Sequence, residues 1–281
     1  MPALWFVKMH GAGNDYIFFD CFSQKIEKPE SLSIAISDRH FGVGSDGIVL
    51  IEPSDRADCR MRMFNADGSE GRMCGNAIRC VGKYFYENLS NAKQTIKVET
   101  LSGLKTLYLD TNNGEVESIA VDMGKADFLT ENIPTIFSKN EFIAERLQVL
   151  DEDFIATAVS MGNPHLVIEV QDVEKFEVEK YGKIIERLNI FPDRINTEFA
   201  KVVSPSEIEM RVWERGSGET MACGTGACAS VAALTRIGKL PIEKEIKVRL
   251  KGGELFIFIS EDYSVSMRGA ATEVFRGEWN K

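Results

Sequence analysis

The sequence predicts an α+β protein made of two copies of one domain. The first observation is an internal repeat, because Phe64–Cys80 resembles Val212–Cys228 and each carries a Glu four residues before a Cys-Gly pair. Cys74 and Cys223 are 149 residues apart, and that spacing relates other pairs without a gap: Gly13-Asn14 to Gly162-Asn163, and Met61-Arg62 to Met210-Arg211. The second observation is that the apolar pattern of each half predicts mostly short strands with one buried helix.

Length and charge agree with this organisation and exclude some partners. A chain of 281 residues suits two domains at about 150 residues each. A net charge of −10 and a pI near 5.0 disfavour nucleic acid or an anionic membrane surface, because few clustered cations are present to neutralise phosphates. Residues 1–20 lack the pattern of a signal peptide, and no run of eighteen apolar residues occurs. The expectation is a soluble cytoplasmic protein.

The first half is predicted to open with two strands, Leu4–Val7 and Tyr16–Phe19, joined by a loop over Lys8–Asp15 that presents Asn14. Helical spacing over Ser31–His40 predicts a helix, which the glycine-rich stretch FGVGSDG follows. That stretch matches the GxGxxG pattern of dinucleotide sites. Such a site needs a strand before the glycines and a helix after them, whereas here the order is reversed, so no nucleotide cofactor is predicted.

The next elements place Cys74. The strand patterns Ile48–Ile51 and Cys59–Phe64 lead into the turn formers NADGSEG, and from Gly75 onward apolar residues recur at helical spacing. Cys74 is therefore predicted at a helix N-terminus. A meander of strands completes this half: Thr95–Glu99, Leu104–Leu109 and Glu117–Val121, with a hairpin turn at 112–114.

The second half is predicted to follow the same plan. Its expected elements are a helix over Glu141–Val149, a strand Ile155–Ser160, a loop MGNPH holding Asn163 and His165, a strand Leu166–Val170, a helix Phe176–Leu188, and strands Ile195–Val203 and Glu207–Trp213. An alanine-rich helix then follows Cys223 and ends at Gly238, and Ile246–Leu250, Leu255–Ile259 and Ser264–Met267 are closing strands. The domains are predicted as 1–124 with 270–281, and 125–269.

The six cysteines favour neither a disulfide framework nor zinc. Their spacing gives no CxxC pair, and only three histidines occur in the chain. No metal site is predicted. Two cysteines, Cys74 and Cys223, stand between a Glu-containing turn and a glycine, whereas the other four are predicted to be packing residues: Cys21, Cys59, Cys80 and Cys228.

A cysteine at a helix N-terminus is expected to have a lowered pKa, because the unpaired backbone N–H groups favour thiolate. The same N–H groups, next to Gly75 or Gly224, can bind a carboxylate. If the two halves face each other about a pseudo-twofold axis, one thiol can lie on each side of one carbon. A thiolate on one face and a thiol on the other would invert a stereocentre beside a carboxylate, with the N–H groups stabilising the extra negative charge.

Several long motifs occur together in one order: MHGAGND, GVGSDG, FNADGSE followed by MCGN, MGNPH, RIN and ERGSGETMACGTGA. In these motifs the chain resembles the diaminopimelate epimerase family over nearly its whole length. The resemblance implies two pseudo-symmetric domains, each a β-barrel-like sheet wrapped around a central helix, with the active site in the cleft between them. It also implies a cofactor-independent isomerase and homodimer, which converts LL-2,6-diaminopimelate to the meso isomer in lysine and peptidoglycan precursor synthesis.

The resemblance also implies the roles of individual residues. Cys74 and Cys223 would be the acid and base, His165 and Glu214 would support catalysis, and Arg215 would bind the distal carboxylate while Glu214 meets an amino group. The remaining implied substrate-binding residues are Asn14, Asn65, Gly75, Asn76, Asn163, Asn196, Gly224 and Thr225. One departure is Gly47, where some family members have Gln.

Two alternative functions stay open at this point. A proline racemase or hydroxyproline epimerase is similar in fold and uses the same cysteine pair, but carries His after the first Cys-Gly, where this chain has Asn76. A thiol redox protein or a non-catalytic binding domain is the other alternative. The absence of CxxC disfavours redox catalysis, and the full set of polar residues disfavours a decayed pocket.

Overall fold

The computed structural model describes residues 3–90 and 93–280. The α-helices in these ranges are α1 (Pro29–Ser37), α2 (Gly75–Tyr84), α3 (Val178–Ile185) and α4 (Gly224–Arg236). The strands are β1 (Leu4–Gly11), β2 (Asn14–Asp20), β3 (Gly47–Glu52), β4 (Cys59–Asn65), β5 (Glu70–Gly71), β6 (Thr95–Thr100), β7 (Gly103–Asn112), β8 (Glu115–Lys125), β9 (Glu145–Val149), β10 (Glu152–Ser160), β11 (Pro164–Glu169), β12 (Asn196–Ser204), β13 (Glu207–Glu214), β14 (Gly218–Glu219), β15 (Glu245–Leu250), β16 (Gly253–Ile259), β17 (Ser264–Gly269) and β18 (Thr272–Trp279). The predicted α+β class is confirmed.

The chain divides into two compact units. Unit 1 contains the residues up to Asp122 together with those from Arg268 onward, and unit 2 is Met123–Met267. In unit 1, β1 pairs antiparallel with β18 and β2, β2 pairs parallel with β3, and β3 pairs antiparallel with β4. The strand β4 pairs with the short β5 and, in parallel, with β6, and β6, β7 and β8 form the meander.

Unit 2 has the same series of pairings. The antiparallel pair β10–β11 is followed by the parallel pair β11–β12 and the antiparallel pair β12–β13. The strand β13 pairs with the short β14 and, in parallel, with β15, which pairs antiparallel with β16. The helices fall at matching places, since α2 and α4 each follow the short strand. The internal repeat of the sequence is therefore also a repeat of connectivity.

Each unit encloses one helix almost completely. Nine of the ten residues of α2 are buried, and eleven of the thirteen residues of α4 are buried. A helix that is buried all round favours apolar or small side chains, and α4 contains alanine at four of its thirteen positions. Strands β10, β11, β12 and β16 contact α4. The small side chains let these strands approach the helix closely.

The apolar core of each unit lies between its strands and helices. In unit 1 a cluster of fully buried side chains joins β1–β4 to α1, including Ile36, Ile48 and Phe64. In unit 2 the larger cluster is rich in aromatic rings, and Phe176 packs on Phe199 with ring centroids 4.5 Å apart. These cores fix the strands whose ends hold the polar residues described below. Within the described ranges, no helix is long and apolar enough to span a membrane.

The predicted helix over Glu141–Val149 is wrong. The second part of that segment is the strand β9, which pairs antiparallel with β10. Its side chains alternate, with Leu147 and Val149 buried and Arg146 and Gln148 exposed. A period of two residues is the strand period, and the apolar residues of this short segment satisfied a helical spacing only by coincidence.

Two predicted loops are shorter in the structure. Lys8–Gly11 continues β1, and β1 turns directly into β2 through Ala12 and Gly13, both of which have positive φ. Asn14 is thus the first residue of a strand. In the second half, Pro164 and His165 belong to β11, so His165 lies on a buried strand instead of a loop. The strand β18 was not predicted at all, because its pattern of exposed and half-buried residues has no apolar run.

Candidate functional site

Cys74 is the N-cap residue of α2, as predicted, with extended backbone dihedral angles. Its thiol donates to Asn14 Oδ1 at 3.2 Å, and Asn76 Nδ2 lies 3.5 Å from the same oxygen. Three residues that the sequence assigned to substrate binding or catalysis therefore meet at one end of a helix in unit 1. Gly75 belongs to the same turn and has no side chain to block approach to it.

Asn14 is held in place by a surface network of charged residues. Its Nδ2 donates to Asp46 Oδ2 at 2.7 Å, and Arg39 donates to Asp46 and to Asp15 at 2.9 and 2.8 Å. Lys8 forms a further ion pair with Asp15 at 2.8 Å. Asp46 lies in the glycine-rich stretch that the sequence analysis rejected as a nucleotide site. Its place beside Asn14 gives that stretch a positioning role.

The buried Arg79 orders the first turn of α2. Its guanidinium is fully buried and donates to the carbonyl oxygen of Gly75 at 3.0 Å and to Asn76 Oδ1 at 3.1 Å. Its Nε donates to the carbonyl oxygen of Ala270 at 3.3 Å. Arg79 therefore orients the amide of Asn76. Sequence reasoning missed this residue, although an arginine among helix positions that are otherwise apolar or small is an available signal.

Cys223 is the N-cap residue of α4 and is 7% exposed. Its sulfur accepts from the backbone N–H of Gly226 at 3.3 Å and lies 3.4 Å from Thr225 Oγ1. In the part of the chain that the structure describes, no acceptor takes the backbone N–H of Gly224 or Thr225. Two N–H groups at this helix end are thus available to an anion.

The expected lowering of the thiol pKa is wrong for Cys223. Burial is the main cause that raises the pKa of Cys223 well above its usual value, and the negative charges of Glu214 and Glu198 raise it further. The hydrogen bonds from Thr225 and Gly226 act in the opposite direction but are outweighed. Burial and two carboxylates overcome the helix N-terminus, so Cys223 is a neutral thiol at neutral pH.

Glu214 lies at the end of β13, with its carboxylate beside Cys223. The two side chains are hydrogen-bonded, and the hydroxyl of Thr220 donates to Glu214 Oε1. Burial raises the pKa of Glu214 above its usual value, and the neighbouring Glu198 adds to the increase. A carboxyl group with a raised pKa can exchange a proton with the thiol that it contacts.

His165 does not contact Cys223 directly. It is completely buried, its Nδ1 lies 2.7 Å from Glu198 Oε1, and its Nε2 lies 3.1 Å from Asn163 Oδ1. Asn163 Nδ2 lies 3.4 Å from Thr225 Oγ1. His165 and Asn163 thus reach Cys223 through Thr225. Glu198 was missed by sequence reasoning, although a charged residue inside the apolar pattern of β12 was an available signal.

The loop after β13 is held by two buried polar side chains. Asn196 Oδ1 accepts from the backbone N–H of Arg215 at 2.9 Å, and Glu186 accepts from the N–H of Gly216 and from Trp213 Nε1 at 3.0 and 2.8 Å. The Arg215 guanidinium is exposed and donates to the carbonyl oxygen of Asp193 at 3.0 Å. Among the described residues it has no carboxylate partner. It is therefore available to a ligand carboxylate.

Asn65 stands apart from the contacts around Cys74. It ends β4, and its Nδ2 donates to Ser69 Oγ at 3.0 Å.

Of the cysteines predicted to be packing residues, Cys59, Cys80 and Cys228 are fully buried and Cys21 is partly buried. Burial raises the pKa of both Cys59 and Cys80 to about 12. In residues 3–90 and 93–280, no three His, Cys, Asp or Glu side chains are grouped so that they could hold a metal ion.

Comparison with known proteins decides the family. The model of the diaminopimelate epimerase family matches residues 6–129 and 157–274. The chain belongs to the diaminopimelate epimerase family. Relatives of that name from Methanococcus maripaludis strain C5 and from Acetivibrio thermocellus are each 50% identical over 274 residues, which are 97% of this chain and 98% and 97% of theirs.

More distant solved structures share the fold. A Bacillus anthracis phenazine biosynthesis protein of the PhzF family superposes with a TM-score of 0.76 at 19% identity, covering both chains completely. A hydroxyproline epimerase from Agrobacterium vitis gives a TM-score of 0.70 at 13% identity, covering 99% of this chain and 91% of that one. Identities this low show a common fold and nothing about the substrate of this chain.

Gly47, where some family members have Gln, has no room for a side chain. Its φ is 156°, and a Cβ built on its backbone would lie 2.1 Å from the carbonyl oxygen of Phe64 and 3.1 Å from the Cα of Asn65. Gly47 pairs with Asn65 between β3 and β4. The close approach of these two strands sets the position of Asn65. An amide side chain at this point would require a different backbone.

We expect Gly47→Ala to lower the free energy of unfolding by about 1–3 kcal/mol, because the new methyl group overlaps backbone atoms that cannot move independently. Urea denaturation measures the change. Gly162→Ala is the control, since Gly162 also has a positive φ, of 89°, but no atom lies within 4 Å of its built Cβ. Equal losses in the two variants would contradict the overlap and assign the effect to backbone conformation alone.

Proposed function

We propose that this protein converts LL-2,6-diaminopimelate to meso-diaminopimelate, as an isomerase of lysine and peptidoglycan precursor synthesis. Family membership supports the substrate class. The single observation that favours catalysis is that both cysteines of the repeated motif are N-cap residues of enclosed helices, each followed by glycine and each contacted by polar side chains. A protein that had lost catalytic activity would not be expected to retain this arrangement in both halves.

The proposed reaction transfers one proton at each face of the α-carbon. The thiolate of Cys74 takes the α-proton, the electron pair of the broken C–H bond spreads onto the carboxylate, and the thiol of Cys223 returns a proton to the opposite face. The raised pKa of Cys223 agrees with its starting as the acid. In the reverse direction the roles exchange. The two thiols and backbone N–H groups supply acid, base and charge stabilisation, so the proposal needs no cofactor.

The reacting carboxylate is proposed to bind at the helix ends. The N–H groups of Gly224 and Thr225 have no acceptor in the described residues, and the partial positive charge of the α4 N-terminus favours an anion. Gly75 and Asn76 would play the equivalent part at α2. As the α-carbon loses its proton, negative charge grows on this carboxylate, so these N–H groups bind the transition state more tightly than the substrate.

Arg215 is proposed to bind the distal carboxylate, because its guanidinium is exposed and has no carboxylate partner among the described residues. Arg215→Lys keeps the charge but loses the planar pair of donors. We expect it to raise KM for diaminopimelate about tenfold or more, since charge-assisted hydrogen bonds contribute about 1.5–3 kcal/mol. Steady-state kinetics measures this. Unchanged kinetics would assign Arg215 to structure, and Arg194→Lys, next to the same loop, is the control.

The deciding experiment is incubation of LL-diaminopimelate with the protein in deuterated water. We expect deuterium at the α-carbon together with formation of the meso isomer, followed by NMR and chiral chromatography. Parallel incubations with L-proline and hydroxyproline test the racemase alternative, which Asn76 disfavours. Absence of both deuterium incorporation and conversion of diaminopimelate to the meso isomer would contradict the proposal.

We further propose that the enzyme is a cytoplasmic homodimer, as the family resemblance implies. Trp5 on β1 and Val274 on β18 are 62% and 52% exposed, and exposed apolar side chains on these paired strands favour a protein partner there. Light scattering after size exclusion measures the mass. A monomer at micromolar concentration would contradict the dimer without affecting the proposed chemistry.

A further inference from the structure

The carboxylate of Glu198 is fully buried in β12, inside unit 2. Burial of a carboxylate is unfavourable unless a donor compensates for the lost water. In the described residues Oε1 has one side-chain partner, His165, and Oε2 has none. The contact with His165 is thus the polar interaction that accounts for a charged group at this position.

The contact determines where His165 carries a proton. A carboxylate can only accept, so the 2.7 Å contact makes Nδ1 of His165 the donor to Glu198 Oε1. The side chains of both residues are completely shielded from solvent. No water competes for either group. The imidazole ring is therefore fixed in rotation and directs Nε2 toward Asn163.

Gly226 makes the position of Glu198 possible. A Cβ built on Gly226 would lie 2.6 Å from Glu198 Oε1, so only glycine allows the carboxylate to lie against the first turn of α4. The N-terminus of a helix favours negative charge. The same glycine donates its N–H to Cys223 Sγ at 3.3 Å. Glu198 therefore lies directly behind the helix turn that holds Cys223.

A continuous series of contacts runs from Glu198 to the sulfur of Cys223. His165 Nε2 lies 3.1 Å from Asn163 Oδ1, Asn163 Nδ2 lies 3.4 Å from Thr225 Oγ1, and Thr225 Oγ1 lies 3.4 Å from Cys223 Sγ. Asn163 Oδ1 is also an acceptor, so Nε2 donates to it and both ring nitrogens of His165 carry protons. Every later group in the series then donates toward Cys223. The series ends with a hydroxyl donor at the sulfur, which stabilises the thiolate that Cys223 becomes after it gives up its proton.

We propose that Glu198 is a positioning residue for proton transfer at Cys223: it fixes His165, and through Asn163 and Thr225 it holds a hydrogen-bond donor on the sulfur. Glu198 itself touches neither the sulfur nor the substrate. The kinetic part of this inference depends on the proposed epimerase function, whereas the contact between Glu198 and His165 does not.

Histidine NMR of the variant Glu198→Gln tests the contact. The chain has three histidines, so a sample labelled with ¹⁵N in histidine gives few signals, and His165→Gln identifies the one of interest. In the wild type we expect both Nδ1 and Nε2 of His165 to carry protons. In Glu198→Gln the amide can donate as well as accept, and we expect Nδ1 to lose its fixed proton. An unchanged His165 signal would overturn the proposal.

The kinetic comparison tests the consequence. We expect Glu198→Gln to lower kcat for diaminopimelate about 10–100-fold with little change in KM, the size of effect that follows loss of the carboxylate partner of a metal-bound histidine. Glu169→Gln is the control, because Glu169 is an exposed residue of the adjacent β11 whose carboxylate pairs with Lys239. A changed His165 signal with unchanged kcat would also overturn the proposal.

A second variant tests the proposal if Glu198→Gln does not fold. Gly226→Ala retains the charge but displaces the carboxylate from His165, so we expect the same NMR change and a similar loss in kcat. Normal His165 signals in folded Gly226→Ala, checked by circular dichroism, would contradict the proposed geometry. If the wild type shows no turnover of diaminopimelate, the proposed function fails, and the NMR comparison still decides whether Glu198 fixes His165.

Discussion

Replacing either Cys74 or Cys223 by serine is expected to lower kcat for diaminopimelate about 10²–10⁴-fold, the contribution typical of a positioned acid or base. A serine hydroxyl is far less acidic than a thiol, so it can neither form the base nor deliver the proton in its place. KM should change little, because the backbone N–H groups that are proposed to bind the carboxylate remain. Steady-state kinetics in both reaction directions measures the two effects.

The control for the thiol variants is Cys21→Ser, since Cys21 is partly buried and follows the end of β2 that is remote from Asn14, so this variant should retain turnover. The double variant Cys74→Ser with Cys223→Ser should be scarcely worse than either single one, because residues that act as a unit are not additive. Near-normal turnover in either single variant would contradict the two-base reaction.

Glu214→Gln is expected to lower kcat by a similar 10²–10⁴-fold and to move the ionisation of Cys223 to lower pH. After burial, the negative charge of Glu214 is the largest influence that raises the pKa of Cys223. Removing that charge therefore lowers the pKa of the thiol. Iodoacetamide reacts with the thiolate, so the pH at which Cys223 alkylation becomes half-maximal should fall, measured in the Cys74→Ser background.

Two outcomes would contradict this role of Glu214: an alkylation profile that stays in place or moves to higher pH, or turnover that is unchanged. Glu209→Gln is the matched control. Glu209 lies on the same strand, β13, but its carboxylate pairs with Arg249 at 2.9 Å. It should alter neither turnover nor the reactivity of Cys223.

The sequence was sufficient to predict the internal repeat and the positions of both cysteines, because a Glu-containing turn followed by Cys-Gly and helical spacing is a local signal. Most strands were also predicted, since their buried faces give an alternating or continuous apolar pattern. The prediction of a helix over Glu141–Val149 failed because its few apolar residues fit both the helical and the strand period. Pairing with β10 makes the second part of the segment a strand. Pairing is a tertiary interaction that the local pattern does not contain.

The electrostatics of the site could not be predicted from the helix end alone. The expected lowering of the Cys223 pKa took account of its position at the N-terminus of α4. It did not take account of the burial of the thiol or of the carboxylates on β12 and β13. Glu198 and Cys223 are 25 positions apart in the chain. Only the fold brings Glu198 behind Gly226, and Glu186, which is 30 positions from Gly216, was missed for the same reason.

The pairing of β18 with β1 has a consequence for synthesis on the ribosome. Trp279 lies opposite Leu4 across that pair, so unit 1 lacks a strand until after the whole of unit 2 has been translated. Unit 2 is continuous in sequence and can fold while translation proceeds, whereas β1 has an unpaired edge during that time. Unit 1 can therefore be completed only after unit 2 has been translated, and a circular permutant that joins β18 to β1 would make unit 1 one continuous segment.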